Sequence, residues 1–153
     1  MVMTRDQLDK IAWQTIHDKP VIPLSEDTGR RARNYRELEA KLQAGIEFEH
    51  AFSDFLHGFY DHKDAAYFEF PSPASLSIER QAMLAGVAEW LSQEFGLPHP
   101  AWTDDSRFFL DQPWDPWSEV GDMSEFTQER LARAPEAFRK RNLAYLSRYL
   151  ITL

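Results

Sequence analysis

A stripe of phenylalanines in the first half of the chain constrains its fold more than any other feature. Large apolar side chains recur there at intervals of three and four residues, at Phe48, Phe52, Phe55, Leu56 and Phe59. This spacing places them along one side of an α-helix. A helix over about residues 47–61 is therefore predicted, with one face committed to a hydrophobic core.

The same periodicity, together with helix start and stop signals, predicts further helices along the chain. They cover about residues 5–17, 30–43, 78–95 and 124–133, with a last one opened by Pro135. Ser75 or Ser77 is expected to cap the helix that begins at residue 78, and Gly96 to end it. Residues 65–70 form at most one short extended piece, which makes no sheet. The predicted fold is all-α, an irregular bundle of about five to seven helices in a single domain over residues 1–153.

Residues 97–121 have a different character, because prolines at 98, 100, 113 and 116 prevent long regular structure. Its apolar side chains include Trp102, Phe108, Phe109, Leu110, Trp114 and Trp117. Long loops without regular structure are uncommon and often functional. We expect an ordered, proline-rich loop that its aromatic residues pin across the helices. Trp114 and Trp117 either anchor this loop in the core or expose an aromatic surface to a partner.

Composition excludes several classes of function. The chain contains no cysteine, which rules out disulfides, thiolate nucleophiles, zinc–thiolate sites and iron–sulfur clusters. Its six glycines are well separated, so no glycine-rich phosphate loop is expected. No apolar run approaches the roughly 18 residues that span a bilayer, and the first residues do not resemble a signal peptide. We therefore expect a cytoplasmic protein with no cofactor, no metal ion and no membrane contact.

Charge is unevenly distributed along the chain. The formal net charge of -8 argues against binding to nucleic acid. Residues 84–129 hold ten acidic residues and one basic residue, Arg107, whereas the basic residues Arg130, Arg133, Arg139, Lys140, Arg141 and Arg148 follow. These two regions either face each other within the fold or leave a basic patch for an acidic partner. A second basic cluster, Arg30, Arg31, Arg33 and Arg36, either pairs with acidic neighbours such as Glu37 and Glu39 or contacts phosphate.

Candidate catalytic or metal-ligating residues are few. His50, Asp54, His57 and Asp61 recur at helical spacing, and imidazole with carboxylate is a reasonable metal-ligand set. The stripe lies about 200° from the phenylalanines, which is where a solvated helix face belongs. Serines occur at expected helix caps rather than in a nucleophile elbow. No catalytic residue is predicted.

Four segments in the second half resemble a known family. They are Leu84–Leu91, Leu97–Trp102, Leu110–Trp114 and Ala134–Leu143, the last of which reads Ala-Pro-Glu-Ala-Phe-Arg-Lys-Arg-Asn-Leu. In this order they are similar to a family of small, largely uncharacterised bacterial proteins with a Pro-x-Trp loop and a closing Pro-x-x-Phe-Arg-x-Arg-Asn segment. Some members look like parts of toxin–antitoxin or similar two-gene modules. The resemblance implies a family signature of Pro135, Phe138, Arg139, Arg141 and Asn142, and it brings no catalytic residues.

These observations favour a non-catalytic protein-interaction or regulatory protein, an antitoxin-like member of a bacterial two-gene module. Its expected contact surface combines Trp114, Trp117, Arg139, Arg141 and Asn142. Changing Arg139 and Arg141 to Glu is then expected to abolish partner capture while leaving the fold intact. Oligomeric state and the identity of the partner do not follow from the sequence.

Two alternatives stay open at the level of sequence. One is a small-molecule-binding protein or small enzyme, with a site between the 97–121 loop and the helices that uses His99, Asp111 or Arg139. The other is nucleic-acid binding through Arg30–Arg36, although the net charge disfavours it.

Overall fold

The computed structural model describes residues 30–116 and 124–145 of the chain. Within them the chain forms five α-helices: α1 Tyr35–Gln43, α2 Phe48–His62, α3 Ile78–Glu94, α4 Ser124–Arg133 and α5 Glu136–Arg139. Three short 3-10 helices, Ala65–Phe68, Ala101–Asp104 and Ser106–Phe108, lie between α2 and α4. The described residues contain no strand, so the predicted all-α, irregular helical architecture is confirmed.

Helix α1 begins later than predicted, because Asn34 is an extended N-terminal cap. The Asn34 side-chain oxygen accepts the Glu37 backbone N–H at 2.8 Å, and the Glu37 carboxylate accepts the Arg33 N–H at 2.9 Å. The pair is a variant of the capping box, in which the glutamate accepts from the residue before the cap rather than from the cap itself. It fixes the first helical residue as Tyr35 rather than Arg30.

Helix α2 follows the predicted boundaries to within one residue at each end. Phe55 and Phe59 are fully buried, whereas His50 on the opposite side is exposed. The helix ends where Lys63 adopts a left-handed conformation with φ of 48°. The amphipathic reading of this segment is therefore confirmed by burial.

Helix α3 is the central element of the described fold. Two serines were candidates for its N-terminal cap, and Ser77 is the one that caps it. The Ser77 hydroxyl accepts the Arg80 N–H at 3.2 Å. Residues 82–89 are all buried, so the helix is surrounded on every side. It ends before Gly96, whose φ of +67° suits a residue without a Cβ. Helix α5 and the 3-10 helices at 101–104 and 106–108 all pack against α3.

Aromatic rings fill the space between α1, α2 and α3. The Tyr35 ring lies 5.1 Å from that of Phe55, 5.8 Å from that of Phe68 and 5.9 Å from that of Trp102. The Tyr35 hydroxyl donates to the Leu84 carbonyl of α3 at 2.8 Å, which satisfies this buried polar group. The core therefore ties α1 to α3 by both ring packing and a hydrogen bond.

The extended piece expected over residues 65–70 is instead a 3-10 helix over Ala65–Phe68. The Asp64 carboxylate caps it by accepting the Ala66 N–H at 3.0 Å. Its tight turn delivers the buried rings of Tyr67 and Phe68 to the core. Burial of two consecutive rings favours this turn over an extended strand, in which consecutive side chains would point to opposite faces.

Up to residue 116, the loop after α3 is pinned by aromatic residues, as expected. The Trp102 indole donates to the Phe68 carbonyl at 2.8 Å, and Phe108 is fully buried. Pro135 precedes α5 as predicted, but that helix ends at Arg139 because residues 140–142 form a turn. None of the helices in the described ranges is long and apolar enough to cross a membrane. The helix predicted over residues 5–17 lies outside the described residues, as does Trp117.

Candidate functional site

The structure brings together four of the five residues predicted for the contact surface. The Trp114 N–H donates to the Asn142 carbonyl at 2.9 Å, and the Trp114 carbonyl accepts the Ala144 N–H at 2.9 Å. The Leu110 N–H donates to the Arg141 carbonyl at 3.3 Å. We refer to residues 110–115 and 139–144 together as the loop–turn platform. Its two strips of backbone run parallel at the bridge between Trp114 and Leu143.

The turn that forms one half of the platform depends on Asn142. This residue has a φ of 64°, a left-handed conformation that asparagine tolerates better than most residues. Its side-chain amide donates to the Leu110 carbonyl at 2.6 Å. The Leu143 N–H then reaches back to the Phe138 carbonyl at 3.0 Å. Asn142 therefore both shapes the turn and joins it to the loop.

Close packing of α5 on α3 sets the position of the turn. The Phe138 ring lies so near Gly86 that a Cβ at that position would be 2.6 Å from a ring carbon. Phe138 itself is fully buried. Glycine is therefore required at residue 86 for this approach of the two helices.

A buried arginine lies beneath the platform. Arg141 is 0% exposed, although arginine is seldom fully buried without partners. Its Nη1 donates to the Glu89 carboxylate at 2.7 Å and to the Ala137 carbonyl at 2.6 Å, while Nη2 donates to the Thr103 carbonyl at 2.7 Å. The Phe109 ring centroid lies 4.6 Å from the centre of the guanidinium group. One side chain thus joins α3, the loop and the turn after α5.

Glu89 is the acidic partner in this buried cluster. Its second carboxylate oxygen accepts from the Lys140 ammonium at 2.7 Å and from the Gln93 amide at 3.3 Å. Burial by itself would raise the pKa of Glu89, but hydrogen bonds from Lys140 and Arg141 outweigh it and hold the pKa below the ordinary value. Glu89 is therefore a carboxylate that balances two cations, and it lacks the raised pKa of a general acid.

Burial of Arg141 corrects the expectation that this residue contacts a partner. A charge reversal there would place a second carboxylate beside Glu89 in the core, so the double change to Glu would not leave the fold intact. Arg139, two positions earlier, is exposed and forms a salt bridge of 2.5 Å with Glu136. Trp114 and Asn142 are half-buried. Within the platform, a partner could reach the exposed Arg139 and the exposed part of Trp114, together with other exposed residues such as Asp111 and Gln112.

The acidic and basic regions of the second half do face each other within the fold. Glu89 pairs with Lys140 and Arg141, and the buried Asp115 carboxylate pairs with Arg130 of α4. This last contact fastens α4 beside the platform. Of the two interpretations drawn from the sequence, internal pairing therefore accounts for these five charged residues.

Contacts within the fold also account for much of the basic cluster at the start of α1. Arg30 lies 3.4 Å from the Glu37 carboxylate, as the sequence suggested. Arg31 pairs instead with Asp61 of α2 at 3.3 Å, and the Arg36 guanidinium lies 4.0 Å from the Phe70 ring centroid. Glu39 accepts the Ser75 N–H. These contacts brace α1 against its neighbours.

The histidines form no catalytic arrangement in the described part of the chain. Nε2 of His99 lies 3.0 Å from the Asp104 carboxylate and 3.5 Å from the Thr103 hydroxyl, so both groups are near the same ring nitrogen. In a catalytic triad the carboxylate and the hydroxyl contact different nitrogens of the histidine ring. The Thr103 hydroxyl donates to the Pro100 carbonyl at 2.7 Å. His99 pairs with Asp104 and Arg139 pairs with Glu136, rather than either of them with Asp111.

The polar stripe of α2 is solvated rather than enclosed. His50 lies 3.6 Å from Asp54, and the His50 side chain is largely exposed whereas that of Asp54 is partly exposed. Across residues 30–116 and 124–145, no three histidine or acidic side chains are grouped so that they could hold a metal ion.

Sequence reasoning missed Glu89 as a member of the site, although a signal was present. Glu89 is the sole charged residue between Ala82 and Ser92, in the most apolar stretch of α3. A lone charge in such a stretch indicates a buried partner of opposite sign. The Thr103 contact is made by a backbone carbonyl, and no side-chain pattern could reveal it.

Comparison of the chain with protein-family models, with curated proteins and with solved structures finds no match. The resemblance carried by residues 84–143 therefore stays a prediction. The geometry of the loop–turn platform is therefore the basis for the function proposed for this protein.

Proposed function

We propose that the protein is a non-catalytic protein-interaction protein whose contact surface is the loop–turn platform. One observation carries this proposal: the buried ionic cluster of Arg141, Glu89 and Lys140 holds the irregular loop–turn platform in place. Loops held by a rigid scaffold are where binding residues concentrate. An ordered surface also loses less conformational entropy when a partner binds.

The composition of the platform supports the proposal. Within the platform Trp114 is half-buried, whereas Arg139, Asp111 and Gln112 are exposed. Tryptophan and arginine are enriched at binding hot spots, and an apolar centre with a polar rim is typical of protein interfaces. Trp114 also packs against the hydrophobic core, so its ring is held in place before any partner arrives.

A narrower form of the proposal is an antitoxin-like or regulatory role in a bacterial two-gene module, within the cytoplasm. Its support is the resemblance, two of whose segments, 110–114 and 134–143, supply most of the platform. The absence of cysteine agrees with a reducing compartment. The net charge of -8 would favour encounter with a basic partner protein.

The test is affinity capture from a lysate of the encoding organism, with and without nuclease, read by quantitative mass spectrometry. Arg139→Glu is the test variant. Arg133→Glu is the matched control, because Arg133 is an exposed arginine of α4 that pairs with Glu129 within its own helix, as Arg139 pairs with Glu136.

We expect one protein captured at fixed stoichiometry despite nuclease. Arg139→Glu should reduce its recovery by about 10- to 30-fold, as loss of a hot-spot arginine does, whereas Arg133→Glu should retain it. Equal recovery with both variants would remove the platform as the contact surface. Capture that disappears with nuclease would favour nucleic-acid binding instead.

A further inference from the structure

We infer that Arg141 is a positioning residue that closes the loop and the turn as one cooperative unit, and so controls partner binding without touching the partner. The unit is the loop–turn platform, residues 110–115 and 139–144. The consequence for binding rests on the proposed function, whereas the cooperative closure can be tested without a partner.

The first support is the geometry of the Arg141 guanidinium. Its acceptors come from three separate parts of the chain: Glu89 on α3, the Ala137 carbonyl on α5 and the Thr103 carbonyl on the loop. A guanidinium offers five N–H donors in a fixed plane, so it can satisfy acceptors on different sides at once. A lysine ammonium on a flexible stem does not reproduce this arrangement.

The second support is that the bonds between loop and turn all depend on where the turn sits. The N–H groups of Leu110, Trp114 and Ala144 donate across the junction, and the Asn142 amide adds a fourth bond. Each of these bonds involves a residue within three positions of Arg141 on the turn. If the turn moves from α3, they are lost together, which is the behaviour of a cooperative opening unit.

The third support is that the cluster is poorly explained by stability alone. Among the described residues, no acceptor is found for the buried Nε of Arg141. Buried ion pairs are often no more stabilising than apolar side chains of similar volume, and an unmet donor adds a further cost. A role in fixing geometry accounts for this arrangement.

The contacts that join α1, α2 and α3 do not depend on closure of the unit. The packing of Tyr35 against Phe55, and its bond to the Leu84 carbonyl, lie between α1, α2 and α3. None of these contacts involves Arg141. Opening should therefore be local.

The experiment compares Arg141→Lys with the control Arg133→Lys by amide hydrogen exchange. In Arg141→Lys, exchange at Leu110, Trp114 and Ala144 should accelerate by about tenfold or more, the effect of one lost charge-assisted hydrogen bond. Amides of α2 should keep their wild-type rates, and Arg133→Lys should change neither set. Unchanged exchange at the three amides, or equal acceleration in α2, would refute the positioning role.

If Arg141→Lys does not fold, native-state exchange of the unaltered protein in low denaturant replaces it. The amides of Leu110, Trp114 and Ala144 should then share one opening free energy and one denaturant dependence, both smaller than those of α2. Three unrelated values would overturn the inference.

The capture assay separates this inference from the proposed function. Arg141→Lys should lose the captured protein as Arg139→Glu does, while Arg133→Lys retains it. Faster exchange with undiminished capture would show that the contact surface lies elsewhere, which refutes control of binding by Arg141. Loss of capture with unchanged exchange would refute the cooperative unit and leave the proposed surface standing.

Discussion

Replacement of Glu89 by Gln tests the buried cluster directly, because it removes one charge and little volume. Arg141 is fully buried and would keep a charge without a counter-ion, whereas Lys140 is partly exposed and can turn toward water. Removing one partner of a buried ion pair costs about 3–5 kcal/mol. Since Lys140 can escape and the Gln oxygen can still accept one bond, we expect the lower end, about 3 kcal/mol. For a chain of this length that corresponds to a fall of roughly 6–12 °C in the midpoint of thermal unfolding.

The effect of Glu89→Gln should also depend on pH. The pKa of Glu89 in the folded protein is held below its ordinary value of about 4.5 by the bonds from Lys140 and Arg141, which exceed the opposing effect of burial. A carboxyl group with a lowered folded pKa stabilises the protein fully above its unfolded pKa and loses that contribution as the pH falls through the folded one. The difference between wild type and variant should therefore be constant near neutrality and shrink below about pH 4.5.

Urea unfolding at several pH values, from neutral to about pH 3, measures this difference. Glu94→Gln is the control, because Glu94 is an exposed acid at the end of the same helix and should change stability by less than about 0.5 kcal/mol. A loss below about 1 kcal/mol for Glu89→Gln at neutral pH, or a loss that does not shrink in acid, would refute the ionic cluster as described.

Further predictions concern the contacts that position the platform and the core. Gly86→Ala should lower the free energy of unfolding by about 2 kcal/mol in urea titration, because the overpacking against Phe138 exceeds the gain in helix propensity; a stabilised variant would contradict the close approach. Ser77→Ala should cost about 1 kcal/mol by loss of the α3 cap, again measured in urea, and a neutral result would show that the cap is dispensable. Tyr35→Phe should cost about 1 kcal/mol near neutrality. Because burial raises the pKa of Tyr35 well above its ordinary value of about 10, the wild type should lose stability as the pH rises above that value, and the variant should lose less. Alkaline unfolding curves that coincide would refute this.

Few large apolar side chains are exposed in the part of the chain that the structure describes. Ile78 is the sole large apolar residue that is well exposed within the described ranges. Recognition by a broad hydrophobic patch is therefore not supported there. A rigid surface with a half-buried tryptophan and an exposed arginine fits a small, polar interface better.

Local signals in the sequence were sufficient for the helices whose ends and faces they encode. The period of Phe48 to Phe59 fixed the buried side of α2, and Ser77 with Gly96 bounded α3. These features depend on residues within about one helical turn of each other, so no distant contact is needed to read them. The sequence predicts a start for α1 that is about five residues too early. The reason is that the N-terminal cap, Asn34, lies within a run of arginines, which are good helix formers.

The tertiary structure alone decided what each charged residue of the candidate site does. Arg139 and Arg141 are identical side chains two positions apart, yet one is exposed and the other is buried. Both are arginines of one short segment, and the packing of this segment on α3 decides which of them is buried. The partner of Arg141 lies 52 positions away in the sequence. The sequence by itself determined that each of these charged side chains had to be either paired or solvated. The packing of α5 against Gly86 determined which arginine is paired in the core and which is solvated. The physical reason is that burial of a charge is favourable only where opposite charges and carbonyl groups already converge.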